Sequence, residues 1–324
     1  MVCVKAACAI HSGGDECTVD TDRWILYRPG LAAARRRGLF SRGGRARQLA
    51  LNGMIMDGER PGGYVLSGEL APPAAKDPIR RVEPLLRAMD QLDGRVLCVE
   101  NGERFFSPDE RVALAREGVR LAQSEPLRQI SLFPAAMQAA REMQLRLVLS
   151  PALIVGADTP EGREWAMLLG DRMNFLGLCG SNPYALERLS DRLMDSFGLA
   201  APIYRNLERA AAASRIVIFA DVAPKPMLGA LQPGTLAVLT HPEDQRALPV
   251  PRGVQLLGGG RVAMPETVAA PLGLSSSEQH LVAQGWLYGA SALAGDARRL
   301  PLRARIRMWR EMEADGFFLK GGGA

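Results

Sequence analysis

From residue 147 onward the chain alternates short apolar runs with helical stretches, and this pattern constrains its fold more than any other feature. The apolar runs are typical of strands buried on both faces. They predict strands at 147–156, 175–179, 201–204, 215–220, 236–240 and 254–257, with helices at 160–172, 183–197 and 207–213. Strands separated by helices of this length imply βαβ units and a parallel sheet. We therefore predict an α/β fold with a Rossmann-like parallel sheet domain.

The remaining sequence predicts structure on both sides of this domain. Residues 48–70 have the pattern of two strands about a Gly/Pro turn, and helices are predicted at 78–92, 107–119 and 134–144. Two more helices are predicted at 276–294 and 301–314. We predict an N-terminal α/β domain over 1–146, the Rossmann-like domain over 147–275, and C-terminal helices over 276–324 that pack back on the N-terminal domain.

Composition excludes several classes of protein. The chain is 47% apolar and 23% charged, as is ordinary for a globular protein, and no apolar run is long enough for a transmembrane helix. The net charge of +5 is too small to indicate nucleic-acid binding. The N-terminus lacks a signal-peptide pattern, and five cysteines in 324 residues do not suggest a disulfide framework. We expect a cytoplasmic protein.

Two N-terminal segments carry candidate binding chemistry. From Arg28 to Arg47 there are seven arginines and no acidic residue, which would attract an acidic partner; a solvated Gly/Arg loop is the alternative. Earlier in the chain stand four residues of types that bind zinc, namely Cys3, Cys8, His11 and Cys17. Their spacing matches no zinc finger, so we expect no metal site, and an incidental cluster is favoured.

The turn after the first predicted strand of the Rossmann-like domain is the candidate phosphate loop. Glycines there let backbone N–H groups approach a diphosphate at a helix N-terminus. Gly156 and Gly162 are present, but Thr159 stands at the position of a central glycine, and the acids Asp158 and Glu161 would repel a diphosphate. The residues that we assign to a dinucleotide cofactor are Gly156, Ala157, Asp158, Thr159, Gly162, Ser181, Asn182 and Ala223.

The residue that follows the second strand predicts which cofactor is bound. An acid at that point favours NAD, whereas a basic or small polar residue tolerates the 2′-phosphate of NADP. The second predicted strand ends in Cys179, Gly180, Ser181 and Asn182, with no acid. The sequence therefore favours NADP(H).

The order of these elements resembles the long-chain acyl-(acyl-carrier-protein) reductases, NADPH enzymes that convert acyl thioesters to fatty aldehydes. The resemblance runs from about residue 48 to 320. The segments that carry it are 63–72, 130–135, 156–162, 182–189, 207–219 and 254–260. The family's arginine after the second strand corresponds to Ser181, and its nucleophilic cysteine corresponds to Gln284. Because a thioester route needs a thiolate and no cysteine follows Cys179, that route is not expected here.

Two functions follow from these observations. The first is an NADP(H)-dependent oxidoreductase-like protein acting on a carbonyl or acyl substrate, with an acidic carrier protein as a possible partner of the Arg28–Arg47 segment. His280 and Tyr288, eight residues apart on one predicted helix, and Lys225, after the strand at 215–220, are its candidate proton-transfer residues. The second is a degenerate Rossmann protein with a regulatory, ligand-sensing or scaffold role. The missing central glycine, arginine and cysteine favour this second function, whereas the family's order of elements and the fold favour the first.

Overall fold

The computed structural model describes residues 2–6, 22–29, 49–57, 60–71, 78–241, 248–290, 297 and 299–320. The chain forms two compact units, each built from separate segments. Unit 1 comprises Met1–Leu127, Val262–Ala297 and Arg310–Phe318; unit 2 comprises Arg128–Arg261, Arg298–Trp309 and Leu319–Ala324. The sequence predicts contiguous domains instead, with the first boundary at 146/147. The chain divides earlier because the helix before that boundary packs with the sheet of unit 2.

Unit 1 contains a six-stranded sheet. Its strands are β1 (Val2–Ala6), β2 (Arg23–Pro29), β3 (Ala50–Asp57), β4 (Arg60–Gly68), β5 (Gly94–Val99) and β6 (Arg120–Leu121), in the order β1-β3-β4-β2-β5-β6. Only the β3–β4 pair, which forms the predicted two-stranded unit, is antiparallel among these described strands. The helices are α1 (Pro78–Gln91), α2 (Gly102–Phe105), α3 (Pro108–Arg116), α8 (Glu266–Ala269) and α9 (Ser276–Ala290).

The sheet of unit 1 is buried by helices that pack on it. Ile25, Leu97 and Leu114 belong to a buried cluster that joins the sheet to α1 and α3. Helix α9 packs very closely on β2 and β5. A Cβ on Gly285 would lie only 2.8 Å from the Sγ of Cys98 and 2.9 Å from the ring of Trp24, so that only glycine fits there. The predicted C-terminal helix that begins at Ser276 is thus an integral layer of this unit.

Unit 2 is a five-stranded parallel sheet with helices on both faces. Its strands are β7 (Ala152–Val155), β8 (Leu176–Cys179), β9 (Ile216–Phe219), β10 (Leu236–Leu239) and β11 (Gln255–Leu257), in the order β11-β10-β9-β7-β8. Its helices are α4 (Ser124–Glu142, whose first residues count with unit 1), α5 (Pro160–Gly170), α6 (Pro183–Phe197) and α7 (Leu207–Ala212), with a 3-10 turn at Leu228–Ala230. The remaining elements are the short strands β12 (Arg261–Ala263) and β13 (Phe318–Lys320) and helix α10 (Leu302–Ala314).

A sixth strand position completes the order of a Rossmann sheet. Ile203 forms an isolated parallel bridge with Leu178 of β8, supported by hydrogen bonds from the amide of Leu178 to the carbonyl of Pro202 and from the amide of Tyr204 to the carbonyl of Leu178 (2.9 and 2.8 Å). If β7, β8, Ile203, β9, β10 and β11 are numbered 1 to 6 along the chain, their order across the sheet is 3-2-1-4-5-6. This is the strand order of dinucleotide-binding folds. The α/β, Rossmann-like fold class predicted from the sequence is confirmed.

Alternate residues of each strand in unit 2 enter two separate cores. Ile154 and Ile218 face a cluster that includes α4, α5 and α6. Leu153 and Val217, one residue earlier on the same strands, face a second cluster that includes α7. Because both faces are covered, each strand is a continuous apolar run, which is the signal that predicted the sheet.

Two predicted boundaries in unit 2 are wrong. The strand predicted from residue 147 starts at Ala152, because residues before it form a turn in which the amides of Leu149 and Ser150 donate to the carbonyl of Arg146. The helix predicted from Pro134 starts ten residues earlier, at Ser124, and continues through that proline. Proline costs the helix the hydrogen bond to the carbonyl of Ile130, but the apolar side chains around it are buried and offset this cost.

The arginine-rich segment is only partly described. Arg28 lies in β2, where its Nε is 2.6 Å from the Oε1 of Glu278 and its side chain is nearly buried. It is therefore a packing residue of unit 1 and not part of a solvated loop. The other arginines of this segment, from Arg35 to Arg47, lie outside the described residues.

Within the described parts of the chain, no helix is both long enough and apolar enough to cross a membrane.

Candidate functional site

The candidate phosphate turn, residues 156–162, connects β7 to α5 at the point where the strand order reverses between β7 and β9. Gly156 has φ of 80°, a left-handed conformation that favours glycine. A Cβ at this position would lie 2.3 Å from the carbonyl oxygen of Ala220, at the end of β9. Glycine is thus required here by the close approach of the protein's own backbone.

Thr159, the residue in place of a central glycine, is the N-cap of α5. Its hydroxyl accepts a hydrogen bond from the amide of Gly162 at 3.0 Å and donates one to the carbonyl of Gly156 at 2.8 Å. Pro160 follows at the first helical position, where its fixed φ suits the helix. A Cβ on Gly162 would lie 2.1 Å from the carbonyl oxygen of Gly156, so the second glycine permits this tight helix start.

Most amides of the phosphate turn donate to groups of the protein itself. The amides of Gly156 and Ala157 both donate to the carbonyl of Cys179 at 2.9 Å, and that of Thr159 donates to Gly156 at 2.9 Å. The amide of Asp158 helps to lower the pKa of the Asp158 carboxyl. Pro160 has no N–H, and the amide of Glu161 lies in the first turn of α5, where amides have no acceptor within the helix.

Arg163 is a candidate ligand that sequence reasoning missed. It lies in the first turn of α5, half-buried, and its Nη1 donates to the carbonyl of Asp158 at 2.6 Å. A guanidinium has five N–H donors, so this bond leaves donors available beside the turn. Its spacing from Gly156 could have indicated a phosphate ligand, but a single arginine is not distinctive in a chain so rich in arginine.

Asp158 turns toward the end of β8. Its Oδ2 accepts hydrogen bonds from the amide of Ser181 (2.9 Å), the hydroxyl of Ser181 (2.8 Å) and the amide of Asn182 (2.9 Å). Burial raises the pKa of this carboxyl, but these hydrogen bonds lower it by more, so that its pKa lies below its ordinary value. Asn182 also caps α6, since its side chain accepts from the amide of Ala185.

Glu161, which the sequence places where it would repel a diphosphate, is neutralised. Its Oε2 lies 2.5 Å from the Nη2 of Arg305, and its Oε1 accepts from the indole of Trp165 at 3.0 Å. The side chain of Arg305 is 1% exposed and that of Glu161 is 11% exposed. Arg305 also donates to the side chain of Gln129 at 2.7 Å, and so connects α10, α5 and α4.

Cys179, at the end of β8, is buried. Burial raises the pKa of its thiol, the amide of Gly180 lowers it, and the nearby charge of Asp158 raises it again; the net pKa is raised. The thiol is therefore protonated at neutral pH and does not suit the role of a thiolate nucleophile.

The turn after β9 borders the same edge of the sheet. Ala223 and Lys225 are exposed on it, and Asp221 has φ of 53°, an unusual conformation for a residue with a side chain. The amide of Asp221 donates to the hydroxyl of Thr240, which follows β10, at 2.9 Å. His241 comes next, and its buried Nδ1 has no hydrogen-bond partner among the described residues.

The helical candidates His280 and Tyr288 lie in unit 1, on α9. The Nδ1 of His280 accepts a hydrogen bond from the amide of Val262 at 3.3 Å. Tyr288 is buried and bonds the backbone of Gln123; burial raises the pKa of its hydroxyl. Gln284, in the register of the reductase family's cysteine, is also buried. His280 and Tyr288 thus both bond backbone groups of unit 1, and the carbonyl of Tyr288 also accepts from the guanidinium of Arg120 at 3.1 Å.

The glycines at 258–260 hold helix α4 against the sheet. Arg128 donates to the carbonyls of Gly258 (2.5 Å) and Thr240 (2.8 Å), and a Cβ on Gly259 would lie 2.5 Å from its Cγ. The amide of Gly260 donates to the hydroxyl of Ser131 at 3.1 Å. The close approach of Arg128 to residue 259 and of Leu319 to residue 260, where a Cβ would lie 2.3 Å from the Cδ2 of Leu319, explains these two glycines.

The described residues contain no group of three or more His, Cys, Asp or Glu side chains that would hold a metal ion. Cys8, His11 and Cys17 lie outside the described residues, and of Cys3 only the backbone, in β1, is described.

Comparison with known proteins gives structural similarity but no sequence family. No protein-family model and no curated protein sequence matches the chain. Shikimate 5-dehydrogenase from Listeria monocytogenes, solved with shikimate and NAD, is 12% identical, with a TM-score of 0.33 over 76% of this chain and 86% of its own. L-tryptophan dehydrogenase from Nostoc punctiforme is 15% identical, with a TM-score of 0.33 over 77% and 78%. Quinate dehydrogenase from Corynebacterium glutamicum, solved with NAD, is 13% identical, with a TM-score of 0.32 over 90% and 99%.

The resemblance to the long-chain acyl-(acyl-carrier-protein) reductases is wrong. The structures similar to this chain include dehydrogenases of shikimate, quinate and tryptophan. The segments that suggested the reductases have roles of their own in this fold: residues 130–135 continue a helix, and residues 258–260 pack against it.

Proposed function

We propose that unit 2 binds a nicotinamide dinucleotide where the strand order reverses, and that the protein is an oxidoreductase acting on a small molecule with a carbonyl group. The observation that carries this proposal is the strand order 3-2-1-4-5-6 with a glycine turn directly after β7. In such sheets ligands bind at the carboxyl ends of the strands, at the reversal. When bound, the nicotinamide supplies hydride to the carbonyl carbon, whose oxygen takes up a proton.

The residues of the phosphate turn fit a dinucleotide in two ways. The diphosphate would accept hydrogen bonds from the amide of Glu161 and from the remaining donors of Arg163, at the positive end of α5. The acid of Glu161 does not oppose this, because Arg305 neutralises it. The adenosine would lie toward Ser181 and Asn182, beside the carboxylate of Asp158. Ala157, Thr159 and Gly162 shape the turn, and Ala223 borders the nicotinamide side.

The proposal is tested by titrating NADH and NADPH and following cofactor fluorescence. We expect micromolar binding of at least one of them. Arg163→Ala should weaken that binding by roughly tenfold, because it removes a charge-assisted hydrogen bond. Arg192→Ala, which removes the same charge from an exposed position of α6, is the matched control and should leave binding unchanged. Oxidation of the bound cofactor by a panel of ketones and aldehydes then identifies the substrate class.

A degenerate, non-catalytic Rossmann protein is the second candidate function. The observation that favours it is the internal use of the amides of Gly156, Ala157, Thr159 and Gly162, which leaves few donors for a diphosphate. If neither NADH nor NADPH binds at millimolar concentration, the oxidoreductase proposal is wrong and this second function gains support.

A further inference from the structure

We propose that Asp158 makes this site select NAD(H) over NADP(H), because its carboxylate fills the place that a 2′-phosphate would need. This inference rests on the proposed function and specifies which dinucleotide the site accepts. The sequence favours NADP(H) because no acid follows β8. The structure supplies an acid there from the phosphate turn, 23 residues earlier in the chain.

The donors after β8 form a small anion cradle. The amide of Ser181, its hydroxyl and the amide of Asn182 all donate to one oxygen, the Oδ2 of Asp158, at 2.8–2.9 Å. Three donors converging on one oxygen are the arrangement that a phosphate oxygen would otherwise occupy. Ser181 and Asn182 are thus the phosphate-binding groups that the sequence suggests, but a carboxylate of the protein already satisfies them.

Gly180 makes room for this carboxylate. A Cβ at Gly180 would lie 2.1 Å from the Oδ1 of Asp158 and 2.5 Å from its Cγ. Gly180 has no left-handed φ that would require glycine for conformational reasons. Its lack of a side chain is therefore explained by the position of Asp158, so that the two residues form one arrangement.

The charge of Asp158 distinguishes the two cofactors. Because its hydrogen bonds keep the carboxyl ionised at neutral pH, a 2′-phosphate brought to the cradle would meet both an occupied site and a like charge. A ribose 2′-hydroxyl is a donor, and a carboxylate that accepts three hydrogen bonds on one oxygen still has lone pairs on the other. The same group therefore accepts NAD(H) and rejects NADP(H).

The test compares NADH and NADPH affinities of the full chain with those of three variants. We expect the wild-type protein to bind NADH more tightly than NADPH. Asp158→Ala empties the cradle and should shift the NADPH-to-NADH affinity ratio toward NADPH by about tenfold or more. Asp158→Asn keeps an acceptor for Ser181 and Asn182 without the charge, and should shift the ratio less.

Asp195→Ala is the matched control, because it removes the same charge from an exposed position near the other end of α6. Its ratio should equal that of the wild type. Circular dichroism of each variant confirms that it is folded. If the wild type binds NADH but neither Asp158 variant changes the ratio by more than about twofold, or if the wild type prefers NADPH, this inference is wrong while the proposed function stands. If the wild type binds neither dinucleotide, both are wrong.

Discussion

At the scale of single residues, the phosphate turn shows glycines that serve the protein's own backbone. Gly156 lies against the carbonyl of Ala220, and Gly162 lies against the carbonyl of Gly156. The hydroxyl of Thr159 accepts from the amide of Gly162 and donates to the carbonyl of Gly156, which also accepts from the amide of Thr159. The turn is therefore rigid and internally bonded before any ligand binds, which would reduce the entropy cost of binding.

Gly162→Ala tests this packing. The new Cβ would lie 2.1 Å from a backbone oxygen that cannot move without distorting the turn, so we expect a loss of about 2 kcal/mol or more in the free energy of unfolding. Gly229→Ala is the control, because a Cβ there meets nothing within 4 Å, and its effect should stay within about 0.5 kcal/mol. Urea denaturation measures both. Equal stability of the two variants would show that the turn is looser than described.

At the scale of elements, a buried polar cluster joins three helices of unit 2. Arg305 of α10 bonds Glu161 of α5 and Gln129 of α4, and Gln129 in turn donates to the carbonyl of Thr240 after β10 at 3.0 Å. The cluster fixes the start of α5, and with it the phosphate turn, relative to the carboxyl end of the sheet.

Arg305→Met is expected to destabilise the protein by about 3 kcal/mol, because it leaves the nearly buried carboxylate of Glu161 without its partner. The double variant Arg305→Met with Glu161→Gln should recover part of this loss, since no buried charge then remains. Arg307→Met, at an exposed position of the same helix, should have little effect. Denaturant melts of the wild type and the three variants measure these changes in stability. A loss below about 1 kcal/mol for Arg305→Met would mean that water reaches Glu161.

The elements of unit 2 were largely predictable from the sequence, whereas the site was not. Helix α6 runs from Pro183 to Phe197 as predicted, because a cap, a proline and an amphipathic pattern coincide there. Helix α4 was misjudged because burial of its apolar face outweighs the local effect of Pro134. The pairings of Asp158 with Ser181 and of Glu161 with Arg305 join residues 23 and 144 positions apart. No periodicity or spacing reveals such pairs, so both acids appeared to oppose a diphosphate.

At the scale of the whole molecule, neither compact unit is a continuous stretch of chain. Unit 2 includes Arg298–Trp309 from the C-terminal region. This segment contains Arg305 and also Leu302, a residue of the buried core of unit 2. A segment cut at the predicted domain boundaries would lack these residues.

We therefore expect a fragment of residues 128–261 to unfold less cooperatively, and at a lower temperature, than the same residues in the full chain. Adding a peptide of residues 298–309 should raise its melting temperature, whereas the same peptide with methionine in place of Arg305 should raise it less. Calorimetry of the fragment with and without peptide measures this effect. A fragment that alone melts at the temperature of the full chain would contradict it.

Helix α9, which lies on β2 and β5 so closely that Gly285 contacts Trp24 and Cys98, has a consequence for biosynthesis. The ribosome makes β5 nearly 200 residues before it finishes this helix. At a synthesis rate of about 5–20 residues per second, the indole of Trp24 stays uncovered by α9 for roughly 10–40 s. Chaperones that bind apolar surface would have that interval in which to act.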